Sequence, residues 1–267
     1  MHPPAHVLEA FGADGPALKL PGGRGTAWRV GNVVLKPLDV LPSELEWLHE
    51  ITWCDTSPDD IRLSLPIMSR TGELVVDGWT AFPVLDGEHK TERWAEIATV
   101  ARGFADRFRG VDRPAFLDDR SHGWARADRL AWGEVEPADI DGAPFLTELL
   151  AARRVVSDPQ GIIHGDLTGN VLFDEVKAPA VLDLTLYWRP VRYAIAIIAV
   201  DAVCFEGAPM SLLETIEPTD GFAQYLVRGL VFRIATDWFN QLDRPALNVY
   251  QDISVRVLDL VSDDDEV

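Results

Sequence analysis

Cysteine is scarce in this chain of 267 residues, which has two cysteines, Cys54 and Cys204. Neither belongs to a C-x-x-C pair, so the sequence predicts neither a metal knuckle nor a disulfide framework. A reduced, cytoplasmic setting is therefore the expectation.

Long hydrophobic runs are also missing. The most apolar run, residues 194–200, is too short to span a bilayer and is closed by Asp201. The N-terminus has neither the basic start nor the apolar run of a signal peptide. We therefore predict no membrane association, and we interpret residues 194–200 as part of a buried helix.

Basic residues are in the minority, with 24 Lys and Arg against 43 Asp and Glu and a formal net charge of -19. A nucleic-acid-binding surface needs a basic face, so none is predicted. The charge is compatible with a cationic substrate, although an acidic proteome would produce the same excess. The hydrophobic share of 47% is ordinary for globular proteins, and the length suffices for one large domain or two lobes.

The most informative polar residues lie in and after the stretch 162–173. Asp166 is followed four residues later by Asn170, and Asp183 lies thirteen residues further on. Apolar pairs bracket all three, which predicts a loop between short buried strands with these side chains in one cleft. Phosphoryl transfer from a magnesium nucleotide needs one carboxylate to orient a hydroxyl, and hard oxygen ligands for the metal.

We therefore predict Asp166 as the catalytic base and Asn170 and Asp183 as Mg²⁺ ligands. His164 lies beside apolar residues and is expected to brace the loop rather than take part in chemistry. The alternative is a His-Gly-Asp turn that uses glycine only for its backbone freedom.

A glycine-rich segment lies near the N-terminus. Residues 18–36 predict a strand, a glycine-rich turn, a strand, a tight turn and a strand. Gly22, Gly23 and Gly25 would let the backbone approach a ligand, and N–H groups in such a loop can hold phosphate oxygens. Lys36 ends the last strand and could neutralise the α- and β-phosphates of a nucleotide. A plain hairpin with a surface lysine is the alternative, and the Asp166 stretch favours the nucleotide.

A helix is predicted over residues 39–51, because its leucines recur at helical spacing. Glu44 or Glu46 could pair with Lys36, and Glu44 has the better register. A solvated helix face is the alternative for both residues.

Residues 61–85 predict two strands around a turn at residues 70–73, and the pattern becomes helical from Thr91. We place the domain boundary near residue 86. Residues 1–86 would form an N-lobe, a nucleotide-binding β-sheet with one helix, and residues 87–267 a helical C-lobe. The backbone at Phe82 and Val84 would be free to hydrogen-bond an adenine.

Further helices are predicted over residues 5–12, 124–132 and 145–156, with two or three more in 209–260. The rest of residues 110–145 is interpreted as loops, which could shape a substrate pocket or form a surface connection. The acidic tail at residues 263–267 is predicted to be disordered.

The sequence resembles the aminoglycoside phosphotransferase family. Residues His164 to Leu172 match the catalytic loop, Val181-Leu182-Asp183 is similar to the metal-binding segment, and Lys36 is similar to the nucleotide lysine. The resemblance covers roughly residues 18–250. It implies an α+β, two-lobed protein-kinase-like fold with a small antiparallel β-sheet N-lobe and a mainly helical C-lobe. It also implies ATP bound between the lobes, with Mg²⁺. Family members phosphorylate hydroxyls of aminoglycosides, macrolides, choline, amino sugars and other small molecules.

Two features depart from the family pattern. The helix after the metal aspartate commonly opens with another aspartate, which this sequence lacks, and Asp201 could take over its bracing role. Its partners would be backbone N–H groups of the catalytic loop. The segment Tyr187–Pro190 is not a general family feature. It could line the substrate site, or Trp188 could merely pack. The segment after Asp183 is too short for the activation loop of a protein kinase, which disfavours a protein substrate.

The leading hypothesis is an ATP- and Mg²⁺-dependent phosphotransferase that acts on a hydroxyl of a small molecule. The alternative is a catalytically inactive, kinase-like nucleotide-binding or regulatory module. An aminoglycoside acceptor is a special case of the first hypothesis. Its support is the acidity of Glu134, Glu136, Asp139 and Asp141, for which a solvated loop is the alternative.

Overall fold

A computed structural model describes residues 2–21, 25–51, 61–137, 145–240 and 249–265 of the chain. The helices of these residues are α1 Ala5–Ala10, α2 Pro42–Glu50, α3 Trp94–Arg107, α4 Phe116–Asp119, α5 Gly123–Trp132, α6 Leu146–Ala152, α7 Val191–Phe205, α8 Leu212–Thr215, α9 Ala223–Phe239 and α10 Gln251–Asp265. The strands are β1 Ala17–Lys19, β2 Trp28–Val30, β3 Val33–Pro37, β4 Arg62–Leu63, β5 Trp79–Pro83, β6 Gly161–His164, β7 Val171–Leu172, β8 Ala180–Val181 and β9 Leu186–Arg189.

The chain divides into two compact units. Unit 1 comprises Met1–Glu88, Pro114–Phe116 and Leu172–Leu184. Unit 2 comprises His89–Arg113, Leu117–Val171 and Thr185–Val267. The domain boundary near residue 86 stays a prediction.

Unit 1 contains an antiparallel sheet with the strand order β1-β2-β3-β5. Successive side chains of a strand point to opposite faces. On β3, Val33 and Leu35 belong to the hydrophobic core, so Lys36 lies on the other face. Val7 of helix α1 and Phe11, directly after that helix, belong to the same core. The sheet therefore presents the lysine away from its packed face.

The two strands predicted over residues 61–85 form, but they do not pair with each other. Strand β4 pairs in parallel with β8, with Leu63 opposite Val181. The second strand is shorter than predicted, because Asp77 and Gly78 form a tight turn with φ of 48° and 72°. Val76 and Trp79 exchange hydrogen bonds across that turn.

Unit 2 is built around α9, which packs against α5, α6, α7 and α10. Helix α7 is buried along most of its length, as the apolar run at residues 194–200 predicts. Helix α3 packs against α7 and β6. Strand β6 pairs in an antiparallel manner with β9, which places the Tyr187–Arg189 segment in a two-stranded sheet.

The prediction of a disordered acidic tail is wrong for the residues that the structure describes, because α10 continues to Asp265. Ile253, Val257 and Val261 recur every four residues and are buried, which anchors the helix along its length. Each such side chain contributes about 1.5–3 kcal/mol when fully buried. Among the described helices, none has the length and apolarity that a membrane crossing needs.

Candidate functional site

The loop that carries Asp166 is fixed at both ends within unit 2. Before it, β6 is held by β9, and the Gly165 N–H donates to the Thr185 carbonyl oxygen at 2.9 Å. After it, the Asn170 N–H donates to the Leu167 carbonyl oxygen at 2.9 Å, which closes a tight turn. Gly169 has a φ of 78° in this turn, a conformation that glycine adopts without steric cost. Asp166 therefore lies on a short loop whose two ends are fixed by backbone hydrogen bonds.

Position 165 needs a glycine because of close packing, and its φ does not lie in the region that favours glycine. A Cβ atom at this position would lie 2.5 Å from Cδ2 of Tyr187 and closer still to Cε2. Carbon atoms in contact are normally 3.5–4.0 Å apart. The Tyr187 ring thus lies directly against the loop that carries Asp166, one residue before that aspartate.

His164 braces this loop, as expected from its apolar surroundings. The side chain is buried, and Nδ1 accepts a hydrogen bond from the Asp166 N–H at 3.1 Å. The imidazole ring also meets Phe104 edge-on, with 5.6 Å between ring centroids. These contacts fix the backbone of Asp166, whereas its side chain is partly exposed.

Asn170 turns its amide nitrogen towards Asp166. Nδ2 donates to the Asp166 carbonyl oxygen at 2.7 Å and lies 3.4 Å from the carboxylate Oδ2. With the nitrogen engaged in this way, the side-chain oxygen of Asn170 is the atom that remains to bind a cation. Such an oxygen suits a hard divalent metal ion.

Two charged residues lie behind Asp166, and one of them, Arg233, was not joined to the site by the sequence interpretation. Arg233 of α9 donates from Nη2 to Asp166 Oδ1 at 2.8 Å and from Nε to Asp201 Oδ1 at 2.6 Å. Asp201 was predicted to brace the catalytic loop through backbone N–H groups, but the observed connection is made by the Arg233 side chain. Burial raises the pKa of Asp201 to about 6, against the opposing effect of Arg233. The sequence feature that could have indicated this contact is the single arginine inside the apolar run at residues 230–235.

The predicted nucleotide lysine and one predicted metal ligand meet in unit 1. Lys36 Nζ lies 2.6 Å from Asp183 Oδ1 and 3.8 Å from Asp39 Oδ1. It also lies 5.0 Å from the centroid of the Phe82 ring. Asp183 has a φ of 45°, which is uncommon for a residue other than glycine and is often found at functional sites. The structure thus groups three of the predicted site residues.

The remaining predicted residues of unit 1 keep their roles as predictions. Glu44 is buried on α2 whereas Glu46 is exposed, which agrees with the better register of Glu44. The Val84 N–H donates to the Asn32 carbonyl oxygen at 2.9 Å and is therefore not available to hydrogen-bond an adenine. The predicted contact of Val84 with an adenine would have to be made by its carbonyl oxygen. Gly25 has a φ of 63°, while Gly22 and Gly23 lie outside the described residues.

A second charged cluster lies in unit 2, in the region predicted as loops around a short helix. Arg189 of β9 donates from Nη2 to Asp128 at 2.7 Å and from Nη1 to Glu134 at 2.6 Å. Glu134, one of the acidic residues considered for a cationic acceptor, is therefore already paired. Glu136 is exposed, and Asp139 and Asp141 lie outside the described residues.

A cavity of about 200 Å³ adjoins this cluster. Trp188 is half-buried and lines this cavity. The other lining residues include Arg113, Arg120, Arg129 and Tyr187.

Among the described residues, no three His, Cys, Asp or Glu side chains are grouped as a metal site. Mg²⁺ does not require such a cage, since proteins usually bind it through one or two carboxylates together with substrate phosphates and water. The oxygens of Asn170 and Asp183 fit that kind of coordination by their chemistry.

Sequence comparison gives no relative: no family model matches the chain, and no curated protein matches it. Solved structures do match. An amicoumacin kinase superposes with a TM-score of 0.62 at 12% identity, covering 95% of this chain and 91% of its own. An aminoglycoside phosphotransferase from Alicyclobacillus acidocaldarius superposes with a TM-score of 0.60 at 14% identity, covering 99% of this chain and 97% of its own. A choline kinase from Streptococcus pneumoniae superposes with a TM-score of 0.57 at 11% identity, covering 92% of this chain and 94% of its own.

At these identities the similarity establishes the fold. The chain has the α+β, protein-kinase-like fold of small-molecule phosphotransferases. The fold class predicted from the catalytic-loop resemblance is thereby confirmed.

Proposed function

We propose that this chain is an ATP-dependent phosphotransferase that transfers the γ-phosphate to a hydroxyl group of a small molecule. The observation that carries the proposal is the setting of Asp166. Its backbone is fixed by His164 and by the turn at Asn170, while its side chain is 42% exposed and can meet a substrate. A base that is held in this way suits a reaction in which positioning supplies most of the catalysis.

Asp166 would act through its carboxylate on the acceptor hydroxyl. The carboxylate accepts a hydrogen bond from the hydroxyl and takes its proton as the acceptor oxygen bonds to the γ-phosphorus of ATP. The bond between that phosphorus and the bridging oxygen breaks, and ADP leaves with the bridging oxygen. His164 has no chemical role in this scheme and serves to hold the loop.

Asn170 and Asp183 would hold Mg²⁺ through their side-chain oxygens. When bound, Mg²⁺ neutralises the charge that develops on the phosphates. Lys36 would take the α- and β-phosphates, and Glu44 would orient it.

The remaining nucleotide contacts would come from the backbone. The N–H groups of Gly22, Gly23 and Gly25 would hold phosphate oxygens, and the backbone at Phe82 and Val84 would meet the adenine. Complexes of proteins with this fold support the use of a nucleotide and a divalent ion. The amicoumacin kinase was solved with AMP-PNP and Ca²⁺, and a spectinomycin phosphotransferase with ADP and spectinomycin.

The test is transfer of labelled γ-phosphate from ATP to a panel of small hydroxyl compounds that includes amino sugars, aminoglycosides and choline. We expect one class of acceptor to be labelled with Mg²⁺ and none with EDTA. Asp183→Asn should greatly reduce this transfer. If ATP binds but neither a panel member nor water receives phosphate, the chain is the inactive kinase-like module instead.

A further inference from the structure

Arg233 joins two carboxylates of unit 2 that come from different elements. From α9, its Nη2 donates to Asp166 Oδ1 at 2.8 Å, and its Nε donates to Asp201 Oδ1 at 2.6 Å. Nη2 also donates to Asp201 Oδ2. The arginine therefore holds the proposed base on one side and a residue of α7 on the other.

Asp201 and Arg233 form a rigid support. Their side chains are 6% and 10% exposed, on two helices that pack against each other. Burial opposes the charge of Arg233, but the two aspartates outweigh it and hold its pKa well above the ordinary value. A buried arginine with a bonded partner has few other positions to adopt.

The two oxygens of the Asp166 carboxylate are thereby made different. Oδ1 is engaged by Arg233, whereas Oδ2 lies 3.4 Å from the Asn170 amide nitrogen on the partly exposed side of the loop. Rotation of the carboxylate would break the bond to Arg233. Only one oxygen is then presented to an acceptor hydroxyl, in one orientation.

We propose that Arg233, supported by Asp201, is the positioning residue that fixes which oxygen of Asp166 meets the acceptor hydroxyl. This inference rests on the proposed function. It also assigns a purpose to Asp201: its negative charge offsets that of Arg233, so the group of three side chains keeps one net negative charge. A positive neighbour that was not offset would favour the ionised form of Asp166 and make its carboxylate a weaker base.

The experiment compares Mg²⁺-dependent turnover of ATP, with water as the acceptor, in the full chain, four single variants and the Asp166→Asn/Arg233→Met double variant. Arg233→Met removes the support, Arg233→Lys keeps the charge without the planar fork, and Asp166→Asn removes the base. Arg228→Met is the matched control, because Arg228 is also buried on α9 but donates to the carbonyl oxygens of Gln224 and Arg154. Melting temperatures of all variants are measured in parallel.

We expect Arg233→Met to lower kcat by about 10²-fold with the KM for ATP within about twofold of wild type, because misplacing a base affects the chemical step. The kcat of Arg233→Lys should be about tenfold higher than that of Arg233→Met. Arg228→Met should keep kcat within about twofold, even if it melts as early as Arg233→Met. Combined with Asp166→Asn, the Arg233→Met change should cost nothing further, since its effect passes through Asp166.

The inference is overturned if Arg233→Met keeps kcat within twofold of wild type while Asp166→Asn is inactive, and the proposed function then still stands. An additional loss in the double variant would overturn it too. If the wild-type chain transfers phosphate neither to water nor to any acceptor of the panel, the proposed function fails separately. A crystal structure of Arg233→Met then decides the inference, because an Asp166 carboxylate that stays in its wild-type orientation would contradict the positioning role.

Discussion

A single methyl group added at Gly165 would test the packing behind the loop that carries Asp166. The Cβ of an alanine would lie 2.5 Å from Cδ2 of Tyr187, about 1 Å closer than carbon atoms normally approach. The ring has little room to retreat, since it is buried and meets Phe232 edge-on with 5.8 Å between centroids. Its backbone is also held in register with Ile163. We therefore expect the loop to move instead of the ring.

Two effects of Gly165→Ala follow from this geometry. Overpacking of this kind costs typically about 1–3 kcal/mol, and a chain of this size loses about 2–4 °C of melting temperature per kcal/mol. The variant should therefore melt roughly 5 °C below wild type. A shift of about 1 Å at the residue next to Asp166 should also lower turnover on the order of 10²-fold.

The assay is thermal melting together with ATP turnover, with Gly161→Ala as the matched control. Gly161 begins β6, the strand that Gly165 directly follows, and no described atom lies within 4 Å of the added Cβ. Its variant should stay within about 0.5 kcal/mol of wild type. Adding Tyr187→Leu to Gly165→Ala should restore part of the melting temperature, because the two side chains share one space. If both glycine variants melt and turn over alike, the packing argument is refuted.

Three further predictions concern other contacts. Asp128→Ala leaves the buried Arg189 without its buried partner, so we expect a loss of about 3–5 kcal/mol, and a melting temperature equal to wild type would contradict this. Asp158 accepts a hydrogen bond from Tyr225 and another from Arg192, and these bonds lower the pKa of Asp158 from 3.8. The ionised side chain therefore stabilises the fold at pH values above 3.8, and this stabilisation is lost as the pH falls through the lowered pKa. The difference in melting temperature between Asp158→Asn and wild type should therefore be clear at neutral pH and disappear in strong acid, and a difference that persists there would be the contrary result. Lys36→Met should weaken binding of ATP with Mg²⁺ by about tenfold in calorimetry, since it removes a charge-assisted contact, and unchanged affinity would exclude the lysine from the nucleotide site.

The fold could be predicted wherever the apolar pattern is local. The recurrence of apolar residues from Trp94 to Phe108 predicted α3, and the alternation before Lys36 predicted β3. Strand β9 was missed because its partner, β6, lies some twenty residues earlier and a two-stranded pairing leaves little trace in sequence. The helical tail was missed because its charges masked the buried stripe ending at Val261.

Residues for a candidate site could be proposed from the sequence, but the contacts that support Asp166 could not. The spacing of Asp166, Asn170 and Asp183 is a feature of the sequence, and so is a lysine at the end of a strand. The bond from Arg233 to Asp166 joins residues 67 positions apart. A charge inside an apolar helix indicates that a partner must exist, but only packing decides which one.

The most direct test of the central claim is a comparison of Asp166→Ala with wild type in two measurements made side by side: turnover of ATP with Mg²⁺, and its dissociation constant. We predict that turnover falls by at least about 10²-fold, since the variant lacks the base, while the dissociation constant stays within about twofold. A variant that binds the nucleotide normally and keeps most of its turnover would contradict the assignment of Asp166 as the catalytic base.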